Sequence, residues 1–163
     1  MPGPRVEELV SLLDLAFDGD DETSLMANLR NVDEATWNTV PQGGGRTIAE
    51  IAAHAGLAPW VYADFAFGAG GPTWDSAVAE VVAAARSMEQ TVEWMREGHS
   101  RFVAEVAALD DGDLDESRPA HWGEQQPLRK LVAVLVSHAS YHAGEINHAR
   151  SLIRGTDRWD YFA

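Results

Sequence analysis

His138 and His142 lie four residues apart in a stretch whose apolar residues recur at helical spacing, so both imidazoles fall on one helix face about one turn apart. Two neutral rings so placed can chelate a single divalent cation. Spacing alone does not separate this from a pair of hydrogen-bonded core histidines. The neighbours add information, because Leu131, Leu135, His138, His142, Glu145 and Ala149 all share one stripe, the stripe that a helical bundle buries. Two buried imidazoles need partners, and a shared ion supplies one to both. A third ligand from a facing helix would complete the three-ligand base used by catalytic zinc sites. His54 is the natural candidate, on the inward side of an earlier helix with Ile51 and Ala58.

Other side chains could take part. Glu145 follows His142 by three residues and could accept from a ligating ring, act as a general base or serve as a fourth ligand. Tyr141 flanks the ligand face and could donate to a developing oxyanion. Glu50, four residues before His54, could orient that ring, but it also sits at capping-box spacing from Thr47. His99 replaces an apolar residue in a helical seam and is read as a core histidine rather than a ligand. His121 and Trp122 fall in a loop that could cover a pocket, and Trp60, Trp74, Met88 and Met95 are read as core. Two common metal motifs are missing. Ala139 takes the place of the glutamate in the metalloprotease helix motif. Only Glu145 to His148 has Glu-x-x-His spacing, and His148 lies off the stripe, which argues against a dinuclear carboxylate site.

The elements that must position these groups are helices. Val6 to Phe17 carries an apolar face, and after an acidic break at 18–21 a second helical piece runs from Glu22 to Arg30. Residues 37–46, with Pro41 and three glycines, read as a loop. Thr47 and Glu50 open a second helix that runs to about Phe67, where glycines and Pro72 interrupt it. From Val78 to Leu109 the apolar seam predicts one long third helix, followed by a polar linker from Asp110 to Gln126. Pro127 suits the first position of a fourth helix that runs to Arg154 and closes at Gly155. Four helices of this kind predict an all-α, four-helix bundle, and a single domain spanning residues 1–163.

Composition narrows the function classes. With 26 acidic against 12 basic side chains, the net charge of −14 disfavours nucleic acid and anionic membranes as partners. The absence of cysteine removes disulfides, thiolate metal sites and a cysteine nucleophile. The start of the chain lacks a signal-peptide pattern, and no apolar run approaches the ~20 residues of a membrane span, so a cytoplasmic protein is expected. The tail residues Trp159, Tyr161 and Phe162 have no obvious internal role, and a homodimer is expected from such exposed apolar groups.

The run His138-Ala139-Ser140-Tyr141-His142-Ala143-Gly144-Glu145-Ile146, followed by Arg150 and Gly155, resembles the H-x-x-Y-H-x-G-Q/E-I signature of DinB-like proteins. Residues 47–54 resemble that family's helix-start segment ending in its first histidine, and Leu12-Leu13-Asp14 with Ser24, Leu25 and Leu29 resembles its first helix. The resemblance implies an up-down-down-up bundle holding nickel or zinc on His54, His138 and His142. It also implies a metal-dependent transferase or hydrolase acting on a small-molecule substrate, with a low-molecular-weight thiol such as bacillithiol or mycothiol as cofactor. The alternative is a helical bundle that binds a metal or a small ligand without turnover. Gly43-Gly44-Gly45 departs from the bulkier residues usual there and alters the expected pocket mouth.

Overall fold

The computed structural model describes residues 2–71, 74 and 87–156. Helix α1 spans Pro4–Asp14, with proline in the first turn, where its missing N–H would have no helical partner. Asp111, far along the chain, completes this start by accepting from the backbone N–H groups of Arg5 and Val6 at 3.3 and 2.9 Å. The helix widens into a π turn at Leu15–Gly19, and Asp18 leaves helical geometry there. The acidic break is structured. Asp20 accepts from the N–H groups of Glu22 and Ser24, and these bonds, led by those from Thr23, push its carboxyl down to about 2. Helix α2, Leu25–Arg30, follows with Ser24 as its cap, so the second piece is shorter than the predicted Glu22 to Arg30.

A short helix α3, Glu34–Trp37, occupies what the sequence left irregular, because Asp33 supplies a cap by accepting from Thr36 N–H. Helix α4, Ile48–Phe67, opens on a complete capping box. Thr47 Oγ1 accepts from Glu50 N–H at 3.1 Å and Glu50 Oε2 accepts from Thr47 N–H at 2.7 Å. Helix α5, Met88–Ala107, starts at Ser87, whose extended backbone and capping hydroxyl break the single long helix expected from Val78. The remainder of that expected helix, 78–86, lies outside the described residues, as does the tail 157–163. The predicted linker contains a two-stranded hairpin, β1 Ser117–Pro119 against β2 Gln125–Pro127, with Gly123 at φ +89° in its turn. Helix α6, Leu128–Arg154, ends at Gly155 in the left-handed region at φ +69°.

Helix α4 is apolar on nearly every side and packs against both α5 and α6, while α1 closes on α5 and α6. Its pairing with α5 is close because of two glycines. A Cβ at Gly56 would overlap Met95, and one at Gly98 would overlap the Trp60 indole, whose Nε1 donates to the Trp94 carbonyl at 3.2 Å. Trp60, Met88 and Met95 thus serve as packing groups, as expected. The buried residues fall into two apolar clusters. One holds Leu13, Ala58, Phe102, Leu128, Leu131 and Leu135, and the other holds Phe17, Ile48, Ile51, Ala55, Met95, Ala143, Ile146 and Ala149. On every long helix the boundary between them carries a polar side chain: Asp14 on α1, His54 on α4, His99 on α5, and His138 with His142 on α6. No helix among the described residues is long and apolar enough to cross a membrane.

Candidate metal centre

Helices α4 and α6 bring His54, His138 and His142 together, with one ring nitrogen from each within 4.8 Å of the others. His138 Nε2 lies 3.2 Å from His142 Nε2 and 3.4 Å from His54 Nε2. Nitrogens ~2.0–2.1 Å from a shared ion at tetrahedral angles would stand ~3.3–3.4 Å apart, so these two separations match tetrahedral edges, and the third pair, His54 and His142, lies within 4.8 Å. Proton counting points the same way. His142 Nδ1 is 2.8 Å from Glu145 Oε2, which assigns the ring proton to Nδ1 and leaves Nε2 as a lone pair. His138 Nε2 then faces two ring nitrogens, and one proton cannot serve both contacts well. A cation at their centre satisfies all three lone pairs.

The rings are held neutral, as a ligand set requires. Burial is the main cause at each position. It lowers His138 to about 3, with the neighbouring His142, His54 and His121 adding to the effect. His54 is lowered by burial and then by His142 and Arg46, and His142 by burial against the opposing pull of Glu145.

Glu145 divides its carboxylate. One oxygen orients His142, and the other forms an ion pair with Arg46, which enters from the segment just before α4. Tyr141 is exposed at the rim, edge to face with His142 at 5.0 Å between ring centroids. Glu50 is engaged in the capping box. His99 stands apart from the three ligands, stacked on Phe17 at 4.0 Å with Nε2 2.8 Å from Asp14 Oδ1, which satisfies it as a core histidine.

Two side chains that no spacing ties to the histidines lie beside them. Trp74 packs on the core as expected, and its ring also stands edge-on to His54 at 5.0 Å and stacks on His121 at 5.0 Å. His121 also meets Tyr62 at 5.2 Å, so the β1–β2 turn joins an aromatic wall next to the metal-binding rings. Arg46 was missed as well. Its partner is 99 positions away, and the only local signal was a basic residue ending a glycine loop.

A family model described as the DinB superfamily matches residues 20–146, a span that contains all three histidines, Glu145 and Arg46. The chain belongs to the DinB superfamily. No curated protein matches it. Within this DinB-superfamily chain, the three-histidine group could hold a metal ion, and the fold is an all-α bundle with one short hairpin.

Proposed function

We propose that the protein is a metal-dependent transferase or hydrolase acting on a small molecule, with a low-molecular-weight thiol as its natural co-substrate. The observation that carries the reading is the convergence of three imidazole nitrogens within 4.8 Å of one another, two of the pairs at 3.2 and 3.4 Å, in a DinB-superfamily bundle. A nickel or zinc ion bound there would keep a thiol or water ligand deprotonated at neutral pH.

The chain's own residues have separate tasks in this scheme. His54, His138 and His142 would hold the ion from two helices. Glu145 fixes His142 with its Nδ1 proton outward from the ion, and Arg46 fixes Glu145. With both oxygens engaged, Glu145 suits orientation better than proton transfer. Tyr141 offers a hydroxyl at the rim for negative charge developing on the substrate. The aromatic wall of Trp74, His121 and Tyr62 keeps water from one side of the site. A cytoplasmic location, small-molecule chemistry and a homodimer belong to the same proposal, and the net charge of −14 supports the exclusion of nucleic acid and membranes.

Elemental analysis of protein purified from its own host, with an assay pairing a bacillithiol- or mycothiol-like donor with electrophilic acceptors, tests this reading. Near-stoichiometric nickel or zinc and metal-dependent consumption of the thiol are expected. Metal without turnover across a broad acceptor panel would favour the non-catalytic alternative, and absence of metal would leave only its small-ligand-binding form. Light scattering checks the dimer.

A further inference from the structure

The glycine-rich segment 42–45 and the C-terminal half of α6 enclose a cleft of about 300 Å³. That is the lower end of the range for small-molecule sites. Its rim is largely backbone. Gly43 has φ +78°, and a Cβ at Gly43 or Gly45 would meet no atom within 4 Å, so these glycines leave space rather than fill a packed contact. Ile51, Ala149 and Leu152 form an apolar wall, and Arg46, Glu145 and His148 form a polar one.

Arg46 is the cation of this cleft, with 44% of its side chain exposed. It donates from Nη2 to Glu145, and among the described residues Nε and Nη1 have no protein partner. Nη2 keeps a second hydrogen, which with the neighbouring Nε or Nη1 forms a two-donor edge that matches the two oxygens of a carboxylate. Glu145 offsets the charge of Arg46 but engages only one of its nitrogens, so the hydrogen-bonding capacity of the guanidinium remains. The cleft thus adjoins the metal-binding histidines across a single carboxylate, and Arg46 lies near enough to both His54 and His142 for its charge to act on them.

We propose that this cleft is a subsite for the carboxylate end of a small-molecule ligand, gripped by Arg46 and lined by Ile51 and Leu152, with the rest of the ligand directed toward the three histidines. A monocarboxylate suits it better than a phosphate. The apolar wall accommodates a short hydrocarbon portion, and a chain of net charge −14 penalises each further negative charge. The subsite rests on the metal-centre reading for its role, although its binding capacity does not require the ion.

The test is therefore run on metal-free protein by amide NMR, with acetate, butyrate, inorganic phosphate and a chloride control as probes. Saturable shifts with butyrate, centred on residues 43–46 and 148–152, are expected. Arg46→Gln should abolish them, and Arg46→Lys, which keeps the charge but loses the fork, should weaken binding by at least ~10-fold. Gly45→Leu is a second variant, filling the cleft from its rim without altering Arg46, and it too should weaken binding. Absence of saturable shifts, binding unchanged by Arg46→Gln or Gly45→Leu, or phosphate binding more tightly than butyrate would each overturn the proposal. Metal content, measured on each protein as purified and before the metal is removed, separates failure of the cleft from failure of the metal centre.

Discussion

Glu145 shows how one side chain links a ligand ring to a distant segment of the chain. Its removal should act on metal affinity more than on folding, because it is a quarter exposed while His142 is buried. For Glu145→Ala we expect metal affinity to fall ~10–100-fold as His142 loses the acceptor that orients it, with little change in the melt of the metal-free protein. Competition against a chromophoric chelator measures this, and unchanged affinity would mean that packing alone orients the ring. The ligands also dictate a pH response. The folded metal-free protein holds His138 near 3 and holds His54 and His142 below 6.5, whereas the unfolded chain titrates them near 6.5. The unfolded state therefore gains protons first as pH falls, so stability is full above ~6.5 and declines below it. Urea midpoints in chelator at pH 7.5 and 5.5 should show the drop, and no change between them would count against three buried neutral rings. The histidine trio was legible in the sequence because helical spacing places two ligands together without tertiary knowledge. Arg46 and Trp74 were not legible, since only the packed bundle brings them to the site.

Helices announce their ends through local chemistry, and most ends here could be read that way. The Thr47–Glu50 box and Gly155 are satisfied within a few residues, so their sequence signals coincide with the structure. Ser87 carried the same kind of signal, but an uninterrupted apolar seam on either side masked it. Helix α3 and the hairpin are too short for periodicity to reveal. What no local pattern specified is how closely α4 and α5 approach. Alanine in place of Gly98 would gain up to ~1 kcal/mol of helix propensity, yet its Cβ would overlap a Trp60 ring tied to the Trp94 carbonyl. Overpacking of this kind typically costs ~1–3 kcal/mol, so the steric term should win. Gly98→Ala is expected to lower the melting temperature by several degrees, at ~2–4 °C per kcal/mol for a domain of this size. A melt at or above wild type would show that the indole can move aside.

Across the whole molecule, the polar boundary between the two apolar clusters decides whether an ion would be a tie or a tool. Asp14 and His99 satisfy one another on one side of it, and the three histidines stand on the other. Apolar packing above and below this layer joins α4 to α6 without help from the boundary, since Ile51, Ala55, Ala143 and Ile146 meet in one cluster and Ala58, Leu131 and Leu135 in the other. The rings are already neutral, so the metal-free layer carries no buried charge that would force the helices apart. Chelation should therefore leave a folded protein with a single cooperative melt. The stability lost should be the linkage value alone, ~2.7 kcal/mol when free metal stands at ~100 times its dissociation constant. That corresponds to a fall of ~5–11 °C. His142→Ala should melt at the chelated wild-type temperature or slightly below it, and should not respond to added metal. If chelator instead abolishes the cooperative transition, the two clusters are insufficient and the ion is a structural tie, as in small domains that fold only when loaded. Melts of both proteins, with and without chelator and over a series of metal concentrations, distinguish the outcomes, because only ligand linkage makes the wild-type midpoint climb with the logarithm of free metal while the variant's stays flat.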